Sequence, residues 1–329
     1  MTRLSDKLTI IAVHGMASKP PEKRWLGLWR DALIGSVTMT DRAIGRRMAD
    51  DPDLLASAYW ADAIPDHLPD LPAAVSADQR SLSVLMALRR KQGAAMHIPK
   101  EGWGAAQARR FGVAAIDALS ESLKVSWELR AGGIEELHGY HSDPTIAERV
   151  RLPLEDRLRE AWDAGRSVVI IAHSLGTTIA YDVLWRFTHR REPELIRYRD
   201  HVVDLFVTMG SPIGDSGMCD AMLCGAWLKR SKAEAVTQRR RAWPHNISRW
   251  HNYSALGDIV CHGFDMDSLF FAPMKRDLSG YKADDFRDYR HLFNPYRAAG
   301  DHPNPHKDYG YLVQPKLASQ LCRYINSLD

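Results

Sequence analysis

Val168-Val-Ile-Ile-Ala-His-Ser-Leu-Gly176 is the stretch on which the reading of this chain turns. A short apolar run, Ser167 to Ala172, ends on a serine set between small residues, and a helical pattern from Thr177 to Phe187 begins at once. A brief apolar run bounded by turn signals reads as a buried strand. A sharp strand-to-helix turn would lift the Ser174 hydroxyl out at the top of a sheet, while Ala172 and Gly176 let the crowded backbone through. The same turn would aim the N–H groups of the helix start at one point, where a negative oxygen could be held. The usual form is G-x-S-x-G. Here its first position is Ala172, which keeps the bulk low but lacks glycine's conformational range. Serine is also a favoured helix cap, so it is the strand before and the helix after that make the segment specific.

Outward from this turn, strands and helices alternate. Lys7 to Val13 reads as a buried strand, followed by a Pro-rich loop and a helix around Trp25 to Gly35. Leu54 to Trp60 reads as a second strand. Residues 62–150 hold no good strand; prolines 65, 69 and 72 open the stretch and helical spacing follows, with Phe111, Ala115, Leu119, Leu123 and Trp127 every four residues. A helix near Leu154 to Ala164 precedes the serine strand. Val202 to Met209 and Ile247 to Ser254 read as further strands, and Pro315 to Leu328 as a closing amphipathic helix. Strands alternating with helices imply an α/β fold, with a mostly parallel central sheet covered by helices on both faces. The expectation is a single domain over 1–329, with a largely helical insertion at 62–150 and a second insertion at 213–244.

Composition narrows the function classes. A hydrophobic content of 45% and a charged content of 26% are globular values, so a large core can be buried. A net charge of +3 is too small to imply nucleic acid binding. The local basic clusters Arg89-Arg90-Lys91, Lys229-Arg230 and Arg239-Arg240-Arg241 read first as solvated faces, and second as places that could meet an anionic membrane surface. Four cysteines without a C-x-x-C pair suggest neither a disulfide framework nor a zinc site, and a reducing compartment fits them. No apolar run approaches the length of a membrane span, and Leu8 to Val13 is too short for a secretory core. A cytoplasmic location is expected, with no metal or organic cofactor; the oligomeric state is not legible.

A serine nucleophile needs a base to take its proton and an acid to orient that base. The candidate acid is Asp258, in a Gly-Asp turn just past a predicted strand, at the edge where reactive groups gather in open α/β sheets. Gly-Asp is also ordinary turn chemistry. The base should lie downstream of the acid, where His262, His291, His302 and His306 qualify. His306 is the chosen base and His302 its alternative. His173, beside the serine, shapes the turn, since adjacent side chains there point apart. His14-Gly15-Met16 follows the first strand. Its turn would present the Met16 N–H beside that of Leu175, as a pair of oxyanion donors.

These pieces in this order resemble the α/β-hydrolase superfamily, and look most like its esterase and lipase-like members. The resemblance rests on Val13-His-Gly-Met16, Ala172-His-Ser-Leu-Gly176, Met209-Gly-Ser-Pro212, Gly257-Asp258 and His306, and spans residues 7–62 and 150–329. The run His173 to Leu184, taken with Gly-Ser-Pro212, is similar to intracellular phospholipase-like and acyl-ester hydrolase branches. It implies Ser174 as nucleophile, His306 as base, Asp258 as acid, and the Met16 and Leu175 amides as the oxyanion hole.

The expected activity is hydrolysis of carboxylic esters, with lipid or acyl esters as substrate. Acyl transfer to an alcohol or thiol uses the same residues, and a silent hydrolase-fold binding protein is the non-enzymatic alternative. In the insertion, Leu82, Leu85, Met86 and Leu88 precede Arg89-Arg90-Lys91. Such a stripe suits a core-packing helix with a solvated end; its other use is a lid that meets a lipid surface.

Overall fold

Among the described residues, six strands lie side by side in one sheet. The computed structural model describes residues 3–16, 19–64, 72–92, 140–230, 239–258, 260–261, 263–282, 285–298 and 303–329. The strands are β1 (Leu8–Val13), β2 (Leu55–Ala58), β3 (Ser167–His173), β4 (Leu205–Met209), β5 (Trp250–Ala255) and β6 (Phe286–Leu292). Their order is β2-β1-β3-β4-β5-β6, and every neighbouring pair is parallel. The long helices are α1 (Glu22–Thr40) and α2 (Arg42–Ala49) after β1, α3 (Pro72–Gln92) after β2, α4 (Pro144–Asp163) before β3, α5 (Leu175–His189) after it, and α6 (Pro315–Asn326) last.

The inner strands are apolar on both sides because helices cover both faces. Ile11, Val13, Val168, Ile170, Ala172 and Phe206 share one core with α4 and α5. Leu8, Ile10, Ala12, Val169, Ile171 and Val207 share the other with α1 and α6. α4 contributes Ala147, Val150, Leu154, Leu158 and Ala161, which recur every three or four residues along one stripe.

Several elements differ from the sequence expectation. α4 starts at Pro144, ten residues before the apolar stripe suggests, because the Asp143 carboxylate accepts from the Thr145 and Ile146 N–H groups and proline suits a first helical position. α2 is a separate helix because Asp41 breaks α1 in an extended conformation and caps the next turn through Ala43 and Ile44. β6 was not anticipated at all. It reads Phe-Arg-Asp-Tyr-Arg-His-Leu, and as an edge strand it keeps Arg287 and Arg290 out in solvent.

Within the insertion, Leu82 and Leu85 of α3 are buried in the core beside α1. Met86 lies where a side chain at Gly35 would stand, and the Arg89 guanidinium is buried and donates to the Thr40 hydroxyl. The apolar stripe of α3 is therefore a packing surface in this structure. The helical spacing at 111–127 falls outside the described residues. Among the described residues of the second excursion, Ser216–Ala221 and Gly225–Arg230 form short helices. No helix among the described residues is long and apolar enough to cross a membrane, and all four cysteines are free thiols.

The order of the strands fixes where chemistry can gather. β1 leads to α1 on one face of the sheet, while its neighbour β3 leads to α5 on the other. The chain thus opens a crevice between the C-terminal ends of β1 and β3, the switch point at which open parallel sheets bind ligands.

Candidate active site

Ser174 stands at that crevice, between the last residue of β3 and the first of α5. Its backbone is held at φ 53°, ψ −131°, a region that costs a side-chain-bearing residue about 1–3 kcal/mol. The surroundings over-determine the turn. The Ser174 N–H donates to the Met209 carbonyl (3.0 Å), and the Ser174 carbonyl accepts from the Thr177 N–H (2.9 Å) and hydroxyl (2.7 Å). Thr177 is itself within 2.7 Å of the Ser211 hydroxyl. Ala172 has an ordinary negative φ within β3, so alanine meets the requirement that glycine usually meets there.

The structure brings Ser174, His306 and Asp258 into one hydrogen-bonded chain. The Ser174 hydroxyl lies 2.9 Å from His306 Nε2, and His306 Nδ1 lies 3.0 and 2.9 Å from the two oxygens of Asp258. Asp258 is fully buried. Burial pushes its carboxyl up, but the His306 ring, the Tyr311 hydroxyl and the Val260 N–H outweigh that and hold it below the ordinary range. An ionised Asp258 only accepts, so the His306 proton sits on Nδ1 and leaves Nε2 to accept from the serine. Gly210, at φ 56°, forms the floor: a side chain there would stand 3.0 Å from Asp258 Oδ2 and 3.1 Å from His306 Nδ1. Of the other downstream histidines, His291 is exposed in β6, and His262 and His302 lie outside the described residues.

The loop after β1 closes the other side. Gly15 lies so close to the turn that a β-carbon on it would stand 2.6 Å from that of Ser174. The buried His14 ring orients this loop. Its Nε2 accepts from the N–H groups of Trp60 (3.0 Å) and Ala61 (3.3 Å), so Nδ1 carries the proton and donates to the Gly15 carbonyl at 2.8 Å. Trp60 stacks on the ring and donates its indole N–H to the His14 carbonyl. Because a peptide unit is planar and trans, fixing the Gly15 carbonyl turns the Met16 N–H to the opposite side. Leu175, the first residue of α5, carries an N–H with no acceptor inside its own helix.

Three contributors, Tyr311, Asp78 and the His14 ring, escaped the sequence reading, and His173 does more than shape the turn. Tyr311 donates its hydroxyl to Asp258 Oδ2 at 2.5 Å and accepts from the Ala255 N–H. The buried His173 ring donates from Nε2 to the His306 carbonyl at 2.7 Å; burial first, and then His306, push it down to about 3, so it stays neutral. His14 was read for its place in the turn, not for its ring. Asp78 of α3 accepts from Lys307 Nζ (2.9 Å) and from the Tyr296 hydroxyl, fastening the described end of the insertion to the loop that carries His306. These contacts have no local signal, because Tyr311, His173 and Asp78 meet their partners, and the His14 ring meets Trp60 and Ala61, across tens to hundreds of residues of sequence.

Chemically, the arrangement offers a hydroxyl poised to lose its proton to an imidazole, with the resulting imidazolium balanced by a buried carboxylate. No protein-family model matches the chain, and no curated protein matches it.

Proposed function

We propose that this chain is a serine hydrolase of the α/β-hydrolase fold that cleaves carboxylic esters through an acyl-enzyme. The observation that carries the reading is the unbroken relay Tyr311–Asp258–His306–Ser174, ending on a serine whose backbone is strained at the sheet's switch point. The chain order Ser–Asp–His and the strand–turn–helix context are those of this fold.

In the proposed reaction Ser174 Oγ attacks the ester carbonyl carbon as its proton passes to His306 Nε2. The carbonyl oxygen becomes an oxyanion held by the Met16 and Leu175 N–H groups. The tetrahedral species collapses, the C–O bond to the leaving group breaks, and His306 returns its proton to the departing alkoxide. Water then attacks the acyl-enzyme while giving a proton to His306, which passes it back to Ser174 as the acid departs. Asp258 holds the imidazolium throughout. Lipid or acyl esters are the proposed substrates, on the resemblance of the elbow and of the Gly-Ser-Pro212 turn. Acyl transfer differs only in the second acceptor, and product analysis with an added alcohol separates the two.

The test is labelling with a fluorophosphonate probe and mapping the adduct by mass spectrometry. A single adduct at Ser174, absent from Ser174→Ala, is the expected result. A folded protein that stays unlabelled with and without lipid vesicles would overturn the proposal in favour of a silent binding protein.

A further inference from the structure

Roughly 20 Å from Ser174, at the far end of the 15-residue helix α5, a second site opens. It is a cavity of about 780 Å³ around the last residues of that helix, within the size range of small-molecule sites. Arg190, Arg191, Arg199 and Arg241 line it, against one carboxylate, Glu192. A helix C-terminus favours cations in its last turn, but that explains neither Arg199, ten residues past the helix end, nor Arg241, nine residues before β5. Three separate stretches of chain deliver the charges to one place.

These guanidinium groups are also treated differently from their neighbours. Arg197, two residues before Arg199, pairs with Asp163 at 2.8 Å, and Arg239, two residues before Arg241, pairs with Asp277 at 3.0 Å. None of the four arginines of the cleft has a carboxylate within 4.0 Å among the described residues. Two of them are nonetheless held in place. Arg199 donates to the Arg190 carbonyl at 3.1 Å, and the Arg241 guanidinium lies 4.9 Å from the centre of the Trp227 ring. The Trp185 indole donates to the Arg241 carbonyl at 2.7 Å, and Trp185 and Trp227 both line the cleft. The field is felt at His189: burial, then His245, Arg241 and Arg199, push it down to about 4, so it adds no charge of its own.

We propose that this cleft binds a ligand bearing two or more phosphate groups. Arginine presents a planar fork that matches phosphate oxygens bidentately, and four forks against one carboxylate suit more than one phosphate. A soluble organic phosphate and the phosphorylated headgroup of a lipid carry this same chemistry.

Titration calorimetry of the full chain with inorganic pyrophosphate, and co-sedimentation with phosphatidylcholine vesicles containing phosphatidylinositol bisphosphate, test it. Saturable binding is expected, weakened roughly tenfold or more in Arg199→Gln/Arg241→Gln. Binding should be unchanged in Arg42→Gln/Arg46→Gln, which removes as much charge from the exposed side of α2. Pyrophosphate binding identifies a soluble phosphate as ligand; binding to vesicles alone identifies the lipid headgroup. Failure of both probes, or equal weakening by the two double variants, overturns the site. Neither readout depends on ester hydrolysis.

Discussion

At its first residue α5 meets a buried serine strained to φ 53° and hydrogen-bonded on every side; past its last residue, His189, it meets four exposed arginines that pair with no carboxylate within 4.0 Å among the described residues. The first end is made by backbone geometry and close approach: Gly15 and Gly210 are there because a β-carbon would touch Ser174 or the Asp258–His306 pair. The second end is made by charge, carried on long side chains in solvent. Positional demands are met by short, contiguous motifs, whereas a field can be assembled from distant residues with loose placement. The proposed activity belongs to the first design and the proposed phosphate site to the second. Their independence is open to test.

The largest effect should come from His306→Ala, which removes the group between Ser174 and Asp258. On a soluble short-chain ester, kcat is expected to fall about 10⁴-fold or more, while His302→Ala keeps most of the activity. Arg199→Gln/Arg241→Gln should leave kcat and KM on that ester unchanged. If the arginine pair lowered kcat as far as His306→Ala does, the two ends of α5 would be one functional unit and the contrast drawn above would fall.

How much was legible follows the same division. The elbow and the switch from strand to helix are properties of adjacent residues, and together with the chain order Ser–Asp–His they placed β1, β3, β4 and the residues Ser174, Asp258 and His306. β6 was missed because an edge strand need not alternate, and Arg287, Asp288 and Arg290 disguise it. Tyr311 was missed because nothing in Asp-Tyr-Gly-Tyr-Leu distinguishes the tyrosine that reaches Asp258 from the one that does not. The arginines of the cleft stand at 190, 191, 199 and 241, so only folding reveals them as a group.

A middle-sized effect compares the two neutral histidines that flank α5. Free histidine titrates near 6.5, but His173 at the N-terminal end is pushed down to about 3 and His189 at the C-terminal end to about 4, burial being the main cause at both. Below 6.5 the unfolded chain takes up protons that the folded chain refuses, so stability is full above that pH and falls as pH drops toward 3. For a fully protected histidine the loss is up to about 1.4 kcal/mol per pH unit, and less at His189, which is only partly buried. Chemical denaturation between pH 7 and pH 4 should show this slope. His189→Gln should remove its share above about pH 4 without touching ester turnover; His173→Gln should remove a share reaching lower, and also slow turnover by loosening the His306 loop. An unchanged slope in both variants would mean that neither ring is kept neutral by its surroundings.

The smallest effect concerns a link between the insertion and the serine end of the helix. Asp78 of α3 accepts from Lys307, the residue next to His306, and from Tyr296, while Ser81 of the same helix donates to the Arg297 carbonyl. The ion pair is part-exposed, and such pairs contribute up to about 1 kcal/mol, so Asp78→Ala is expected to lower kcat only roughly two- to fivefold. The direction of the change carries the information. If α3 acts by steadying the His306 loop, the loss appears in kcat with KM unchanged, and combining Asp78→Ala with Lys307→Ala costs little more than either alone. If α3 instead shapes access to Ser174, the loss appears in KM and grows with the length of the acyl chain. In neither case should pyrophosphate binding change, because the link reaches only the serine end of α5.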